Sequence, residues 1–223
     1  MKGKKIFFIF MVVPLIINSV SLLFLPDKIP AHYNFKGQVD RWGSKYETLI
    51  LAFIILILGF LFLFISKKTV KNKGGANDNE KVSIFIFTIS LLVLNVVNIY
   101  FLYTSFNAVE NISNFSLRLK DILGFSFGIM FILIGYVMPK IKRKFIGFGN
   151  FLNVKNEFIW KKSQRFSGIS LMVLGVLLIL GVFAVKNDIV YLLSAFFATI
   201  TCIIISMIYS YSIYKKYEDL NRI

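Results

Sequence analysis

The chain has 223 residues, of which 57% are hydrophobic and 17% are charged, and its mean hydropathy is +0.74. Since an ordinary soluble domain is about 45–50% apolar and about 25% charged, this composition excludes a soluble globular protein. The apolar residues are collected in blocks of about 20, the length that a helix needs to cross the hydrocarbon core. The sequence therefore predicts an all-α fold, a polytopic membrane bundle of six transmembrane helices.

The formal net charge of +15 does not indicate a nucleic-acid partner, because the lysines and arginines flank the apolar blocks. In that position they meet anionic membrane lipid and fix the topology. The single cysteine, Cys202, excludes an internal disulfide and a cysteine-based metal cluster. It lies within an apolar block and is predicted to be an inert packing residue. The sequence predicts no cofactor and no metal.

The first predicted span covers residues 6–25, after a short basic start. A cleaved signal peptide is the alternative, but its apolar region would be about 7–15 residues long and would end in small residues. This block is longer and ends in Leu25-Pro26, so we predict that it is retained. The other spans are predicted at 48–66, 82–106, 122–138, 166–185 and 189–213.

Two spans carry features that predict helix packing. Asn95 and Asn98 are three residues apart and so lie on one helix face. We favour interhelical hydrogen bonds for them over contact with a ligand. Gly124 and Gly128 have the GxxxG spacing, which allows helices to approach closely and is a weak signal because glycine is common in such spans.

Lysine and arginine counts predict the orientation. If the N-terminus is cytoplasmic, the cytoplasmic segments carry 19 of these residues and the opposite segments carry 7. Such an asymmetry places both termini inside. The segment 26–47 then faces outward, while 67–81 and 139–165 face the cytoplasm.

The outward segment PDKIPAHYNFKGQVDRWGSKYE, residues 26–47, is predicted to be an ordered loop held against the membrane surface. Pro26 and Pro30 stiffen its entry and disfavour helix at the residues before them. Gly37 and Gly43 permit turns that a residue with a side chain would resist. A flexible tether would not need so many prolines and large side chains.

The chemistry of the sequence favours binding over catalysis or ion coupling. None of the six predicted spans contains Asp, Glu, Lys, Arg or His, and ion-coupled transporters usually need ionisable groups at membrane depth. His32 is the sole histidine, so one chain cannot form a two-histidine metal site. Asp27 and Asp40 could join His32 in acid–base chemistry, but charged loops are usually only solvated. We predict a protein that is not an enzyme and keep a permease or exporter component as the alternative.

Two interpretations of the outward segment stay open on composition alone. Mixed aromatic and hydrogen-bonding groups suit a surface that binds a peptide or a lipid headgroup. Alternatively, Trp42 and Tyr33 anchor the loop at the membrane interface while Asp40 and Lys45 pair locally. The candidate binding residues are Pro26, Ile29, Pro30, His32, Tyr33, Asn34, Gly37, Asp40, Arg41, Trp42, Gly43, Ser44 and Lys45.

The same segment resembles the signature of the domain that opens members of the SdpI immunity-protein family. The matching elements are Leu25-Pro26, Ile29-Pro30 with His32, Asn34, Gly37, Asp40 and Gly43-Ser44-Lys45. A second signature is similar at Ile146-Gly147, Trp160 and Arg165-Phe166 with Gly168. This sequence departs from that second signature, since Gly149 takes the place of an arginine and Gln164 that of a histidine.

The resemblance implies a multi-pass protein of the bacterial cell membrane that protects a producing cell from its own secreted peptide toxin. It also implies signalling, in which a cytoplasmic repressor is held at the membrane. On this basis the chain comprises a two-span domain at 1–66 with the outward loop, a cytoplasmic linker at 67–81 and an SdpI-like four-span domain at 82–223. The toxin would meet the outward loop, and the repressor would meet the inward segment through Lys142, Arg143, Lys144, Gly147, Trp160 and Arg165.

Overall fold

The computed structural model describes residues 2–34, 36–70, 76–113, 118–141 and 156–220. Over these residues, six helices are long and apolar enough to cross a membrane, which confirms the predicted all-α bundle. A two-stranded antiparallel hairpin joins the first two helices. The elements are α1 Lys2–Ser21, β1 Lys28–Tyr33, β2 Val39–Ser44, α2 Thr48–Val70, α3 Ala76–Phe106, α4 Leu119–Val137, α5 Glu157–Ala184 and α6 Asp188–Leu220.

The helices do not end where the apolar blocks end. α1 stops at Ser21, four residues before the predicted limit, while α4 begins at Leu119 and α5 begins at Glu157. Hydropathy marks only the part of a helix that is apolar, whereas hydrogen bonding carries the helix into polar flanks. The Asn156 side chain accepts a hydrogen bond of 2.8 Å from the Phe158 amide and so caps the start of α5.

Successive helices run in opposite directions, so their connections collect at two ends of the bundle. The end that carries the hairpin, called the hairpin end below, also holds residues 107–113, which hydrogen-bond to the hairpin. The connection at 185–187 lies at the same end, because its Val185 carbonyl bonds to Lys120 at the start of α4, which lines one cavity with His32 of the hairpin. The opposite end, called the terminus end, holds the start of α1. There the Trp160 indole donates a hydrogen bond of 2.8 Å to the Ile141 carbonyl.

Two asparagine contacts hold α3 against α1. Asn18 donates a side-chain hydrogen bond of 2.9 Å to Asn98, and Asn95 donates one of 2.9 Å to the Phe10 carbonyl. The predicted interhelical role of Asn95 and Asn98 is therefore confirmed. An apolar cluster packs beside these contacts and joins α1, α2 and α3 through Phe7, Met11, Ile55, Ile84 and Leu91.

Glycines bring α4 and α5 into backbone contact. A Cβ atom built on Gly168 would lie 2.6 Å from the Gly135 carbonyl oxygen, and one built on Gly128 would lie 2.8 Å from the Gly175 carbonyl oxygen. In each helix the two glycines are seven residues apart, which returns to the same face after two turns. Gly124, one turn before Gly128, instead makes room for Tyr191 and Val182. The predicted close approach is present, and it involves more glycines than the GxxxG pair.

Candidate functional site

The segment predicted as an ordered loop is a β-hairpin with an irregular register. Lys28 of β1 pairs with Ser44 of β2, and Tyr33 pairs with Val39. The Asn34 carboxamide oxygen accepts hydrogen bonds from the amides of Lys36 and Gln38, which folds the turn. These two hydrogen bonds form an Asx turn, which depends only on residues within the hairpin.

The two glycines of the hairpin have different roles. Gly37 has a φ of +75°, so the predicted turn at this position is confirmed. The predicted turn at Gly43 is wrong, because Gly43 lies within β2 opposite Ile29. Its missing side chain leaves space for the Glu47 carboxylate and for Ala31.

Three side-chain pairs join the described residues of the hairpin and its flanks. His32 Nδ1 lies 2.6 Å from Asp40 Oδ1, Arg41 lies 2.8 Å from Glu47, and Lys45 lies 2.9 Å from Asp27. The predicted pairing of Asp40 with Lys45 is therefore wrong. The hydrogen bonds that Arg41 donates to the Glu47 carboxylate raise the pKa of its guanidinium above the usual value, so this charge stays fixed. The pairs stiffen a surface that remains exposed, and the His32 side chain is 63% accessible.

The hairpin is anchored on residues 109–113, which lie between the spans predicted at 82–106 and 122–138. The Val39 amide donates to the Glu110 carbonyl at 2.8 Å, and the Ile112 amide donates to the Gly37 carbonyl at 2.8 Å. The Tyr33 hydroxyl donates to the Val109 carbonyl at 2.9 Å. Burial raises the pKa of the Tyr33 hydroxyl above its usual value, which keeps this donor protonated. The hairpin and the α3–α4 connection therefore form one docked unit.

We expect Gly37→Ala to weaken this docking by about 1–2 kcal/mol, since alanine resists a positive φ. Its Cβ would also collide with the Ser113 hydroxyl. Hydrogen exchange at the amides of Val39 and Ile112 should accelerate about 5–30-fold. The exposed neighbour Gln38→Ala is the matched control, and equal exchange rates in the two variants would contradict the expectation.

A cavity of about 470 Å³ lies under the hairpin, between it and the ends of α3, α4 and α6. Its size falls within the range of ligand sites in proteins. The side chains that make it apolar are Phe101, Ile112, Leu119, Ile189, Leu192 and Leu193. The polar side chains are His32, Asn34, Ser113, Lys120 and Asp188. We call this space the hairpin cavity.

Lys120 forms part of the cavity wall and is the most informative residue that the sequence did not indicate. It lies just before the span predicted at 122–138, yet its side chain is only 1% exposed. Its ammonium group donates to the Val185 carbonyl at 2.5 Å, approaches those of Val182 and Lys186 at 3.4 Å, and lies 3.7 Å from Asp188. A cation at the C-terminal end of α5 satisfies carbonyls that have no partner within the helix. A lysine beside an apolar block gives no sequence signal for this role.

The candidate residues of the outward segment divide by exposure. Ile29, Pro30 and Gly37 are buried, whereas Tyr33, Asn34, Gly43 and Lys45 are half-buried. The exposed members are Pro26, His32, Asp40, Arg41, Trp42 and Ser44. Among all these candidates, Pro30, His32, Tyr33, Asn34 and Gly37 line the hairpin cavity.

Only part of the inward segment can be placed. Lys142, Arg143, Lys144 and Gly147, like Gly149, lie outside the described residues. Arg165 is exposed on α5, but Trp160 is 2% exposed and packs against Met138 and Ile141. Trp160 therefore holds the fold together and offers no surface to a partner. Gln164 is fully buried, and its amide atoms find no hydrogen-bond partner in the described part of the chain.

Acidic and metal-ligating side chains are sparse in the described ranges. No group of three or more His, Cys, Asp or Glu residues comes together there. Asp27, one of the two carboxylates considered with His32, is instead paired with Lys45. The site that remains is a charged hairpin above an apolar cavity, at one end of a multi-pass membrane bundle.

Comparison with known proteins agrees with the resemblance of the outward segment. The family described as a domain of unknown function (DUF1648) matches residues 9–57, which cover most of α1, the hairpin and the start of α2. The chain is also similar to immunity protein SdpI of Bacillus subtilis (strain 168). The identity is 22% over 221 residues, which cover 97% of this chain and 98% of that protein. No solved structure matches the chain. These similarities support an SdpI-like, multi-pass membrane protein.

Proposed function

We propose that this chain is an immunity protein of the bacterial cell membrane that protects its cell from a secreted antimicrobial peptide. Similarity to an immunity protein extends over almost the full length of both chains, which supports a role of the whole bundle. The charge asymmetry, 19 against 7 basic residues, favours a hairpin that faces outward, where a secreted peptide arrives.

The observation that carries the proposal is the hairpin cavity. Its apolar wall suits an apolar side chain or a short apolar stretch of a membrane-active peptide, and its polar rim can orient the peptide backbone. The cavity opens beside the exposed pair His32–Asp40. A peptide held there would be kept from the lipid bilayer. This role is binding, and it requires no catalysis.

Filling the hairpin cavity should abolish protection. We expect expression of the wild-type chain in a sensitive strain to raise the lethal concentration of a cognate peptide. Leu192→Trp should lower that concentration about tenfold, because the indole would fill space that the peptide needs and a tenfold loss corresponds to about 1.4 kcal/mol of binding free energy. Leu192 lines the cavity, whereas Val190 on the same turn of α6 is exposed and does not.

Val190→Trp is the matched control and should protect like the wild-type chain at equal membrane abundance. Equal protection by both tryptophan variants would contradict the cavity as the binding site. Unchanged killing of well-expressed wild-type cells by every peptide tested would contradict immunity itself. Solute flux through the purified protein in proteoliposomes would instead favour the permease or exporter alternative.

We propose in addition that the inward basic segment recruits a cytoplasmic repressor once peptide is bound. Lys142, Arg143 and Lys144 form the basic run, and Arg165 is exposed at the same end of the bundle. Trp160 is no longer part of this proposal. Fractionation of the protected cells with and without peptide tests it, and a repressor that never moves to the membrane contradicts it.

A further inference from the structure

A second cavity lies between α1 and α3 at the terminus end, far from the hairpin. Its volume is about 630 Å³, larger than the hairpin cavity. Two interhelical contacts bound it. Towards the membrane centre, Asn95 donates to the Phe10 carbonyl at 2.9 Å, and towards the surface, Lys4 pairs with Glu80 at 2.5 Å. We call this space the α1–α3 groove.

The wall of the groove is apolar. It is formed by Ile6 and Phe10 of α1 and by Ile84, Phe85, Ile89 and Leu92 of α3. Thr88 also lines the groove, but its hydroxyl donates to the Ile84 carbonyl and is satisfied within α3. Among the described lining residues, the interior therefore presents no polar group that requires a polar ligand.

The length of the groove matches one leaflet of a bilayer. Along α3 it extends from Lys81 to Leu92, which at about 1.5 Å per residue is roughly 17 Å. Half of a hydrocarbon core about 30 Å thick is roughly 15 Å. An acyl chain that enters from the membrane surface would end close to the Asn95–Phe10 contact.

Among the described residues, the mouth of the groove carries a net positive charge. Lys4 and Lys81 contribute two ammonium groups, and Glu80 contributes one carboxylate. That carboxylate is held by Lys4, whereas Lys81 is exposed. Basic sites between transmembrane helices on the cytoplasmic side suit anionic lipid headgroups. The basic-residue count assigns this end to the cytoplasm.

We propose that the α1–α3 groove is a binding site for an anionic phospholipid of the inner leaflet. One acyl chain occupies the apolar groove, and the phosphate lies against Lys81 with Lys4 beside it. The acyl chain matches the apolar wall of the groove, and the phosphate matches the positive charge at its mouth. This site is independent of the proposed immunity function, because it shares no lining residue with the hairpin cavity.

The test uses the full-length protein in bilayers of equal parts phosphatidylglycerol and phosphatidylcholine with identical acyl chains. After mild extraction, native mass spectrometry counts the lipids that stay bound. We expect phosphatidylglycerol to be retained about fivefold more often than phosphatidylcholine, the contribution of about one lysine near an anionic headgroup. Lys81→Gln should remove this preference, and Leu92→Trp should reduce retention of both lipids.

Two matched controls separate the groove from general effects. Lys215→Gln removes an exposed lysine from α6, and Leu177→Trp adds an indole to an exposed position of α5. Both should retain lipid like the wild-type chain. Equal retention of the two lipids by the wild-type protein would overturn the proposal, as would an unchanged preference in Lys81→Gln. Displacement of the lipid by free glycerol phosphate would show that the groove is only an anion site. A dimer that retains no lipid would show that the groove is a protein interface. Either result would overturn the proposal.

Discussion

Replacing Lys120 with methionine is expected to lower the free energy of unfolding by about 1–3 kcal/mol, the cost of leaving buried acceptors without their donor. Methionine preserves most of the volume of the side chain. It leaves the carbonyls of Val182, Val185 and Lys186 without their donor and leaves Asp188 without its counter-charge. Reversible unfolding by dodecyl sulfate in mixed micelles measures the change.

Lys186→Met is the matched control, because Lys186 is exposed in the same turn that Lys120 caps. We expect this control to change the stability by less than about 0.5 kcal/mol. The double variant Lys120→Met with Asp188→Asn should recover part of the loss, since the unpaired carboxylate is then removed as well. A stability of Lys120→Met equal to that of Lys186→Met would show that the buried ammonium contributes nothing.

The second large effect is expected at Gly168. Alanine there places a Cβ atom 2.6 Å from the Gly135 carbonyl oxygen, and backbone cannot move aside as a side chain can. We expect Gly168→Ala to lower the free energy of unfolding by about 1–3 kcal/mol, although alanine gains up to about 1 kcal/mol in helix propensity. Gly168→Leu should prevent α4 and α5 from packing and should lower the yield of folded protein.

Gly59→Ala is the control for the glycine series. The nearest atoms to a Cβ built on Gly59 belong to the side chain of Met11, which has three rotatable bonds and can repack. We expect this variant to be as stable as the wild-type chain or slightly more stable. If Gly168→Ala and Gly59→Ala behave alike in the same unfolding assay, direct backbone contact is not what holds α4 to α5.

The parts of the fold that depend on apolar composition were predictable from the sequence. Blocks of about 20 apolar residues predicted six helices, and the spacing of Asn95 and Asn98 predicted a polar contact between helices. The hairpin was harder to predict, because it docks on the distant segment 109–113 and its register is irregular. Prolines and glycines indicated an ordered segment but could not specify its partner.

Charged and aromatic residues next to the spans were the main source of error. Lys120 and Trp160 each come shortly before a predicted span, where lysine and tryptophan usually lie at the membrane surface. In the fold both are buried, because each reaches backbone carbonyls exposed at the end of a neighbouring element. Which carbonyls a side chain can reach depends on which helix ends become neighbours in the fold, and no local sequence pattern indicates this. The proposed binding roles of the hairpin residues stay predictions.

The backbone contact between α4 and α5 limits where any solute could pass through the molecule. At the pairs Gly135–Gly168 and Gly128–Gly175 there is no room for a single added carbon atom, so the two helices leave no passage for a solute between them at these levels. If the protein conducts a solute, the conduit lies along another seam of the bundle.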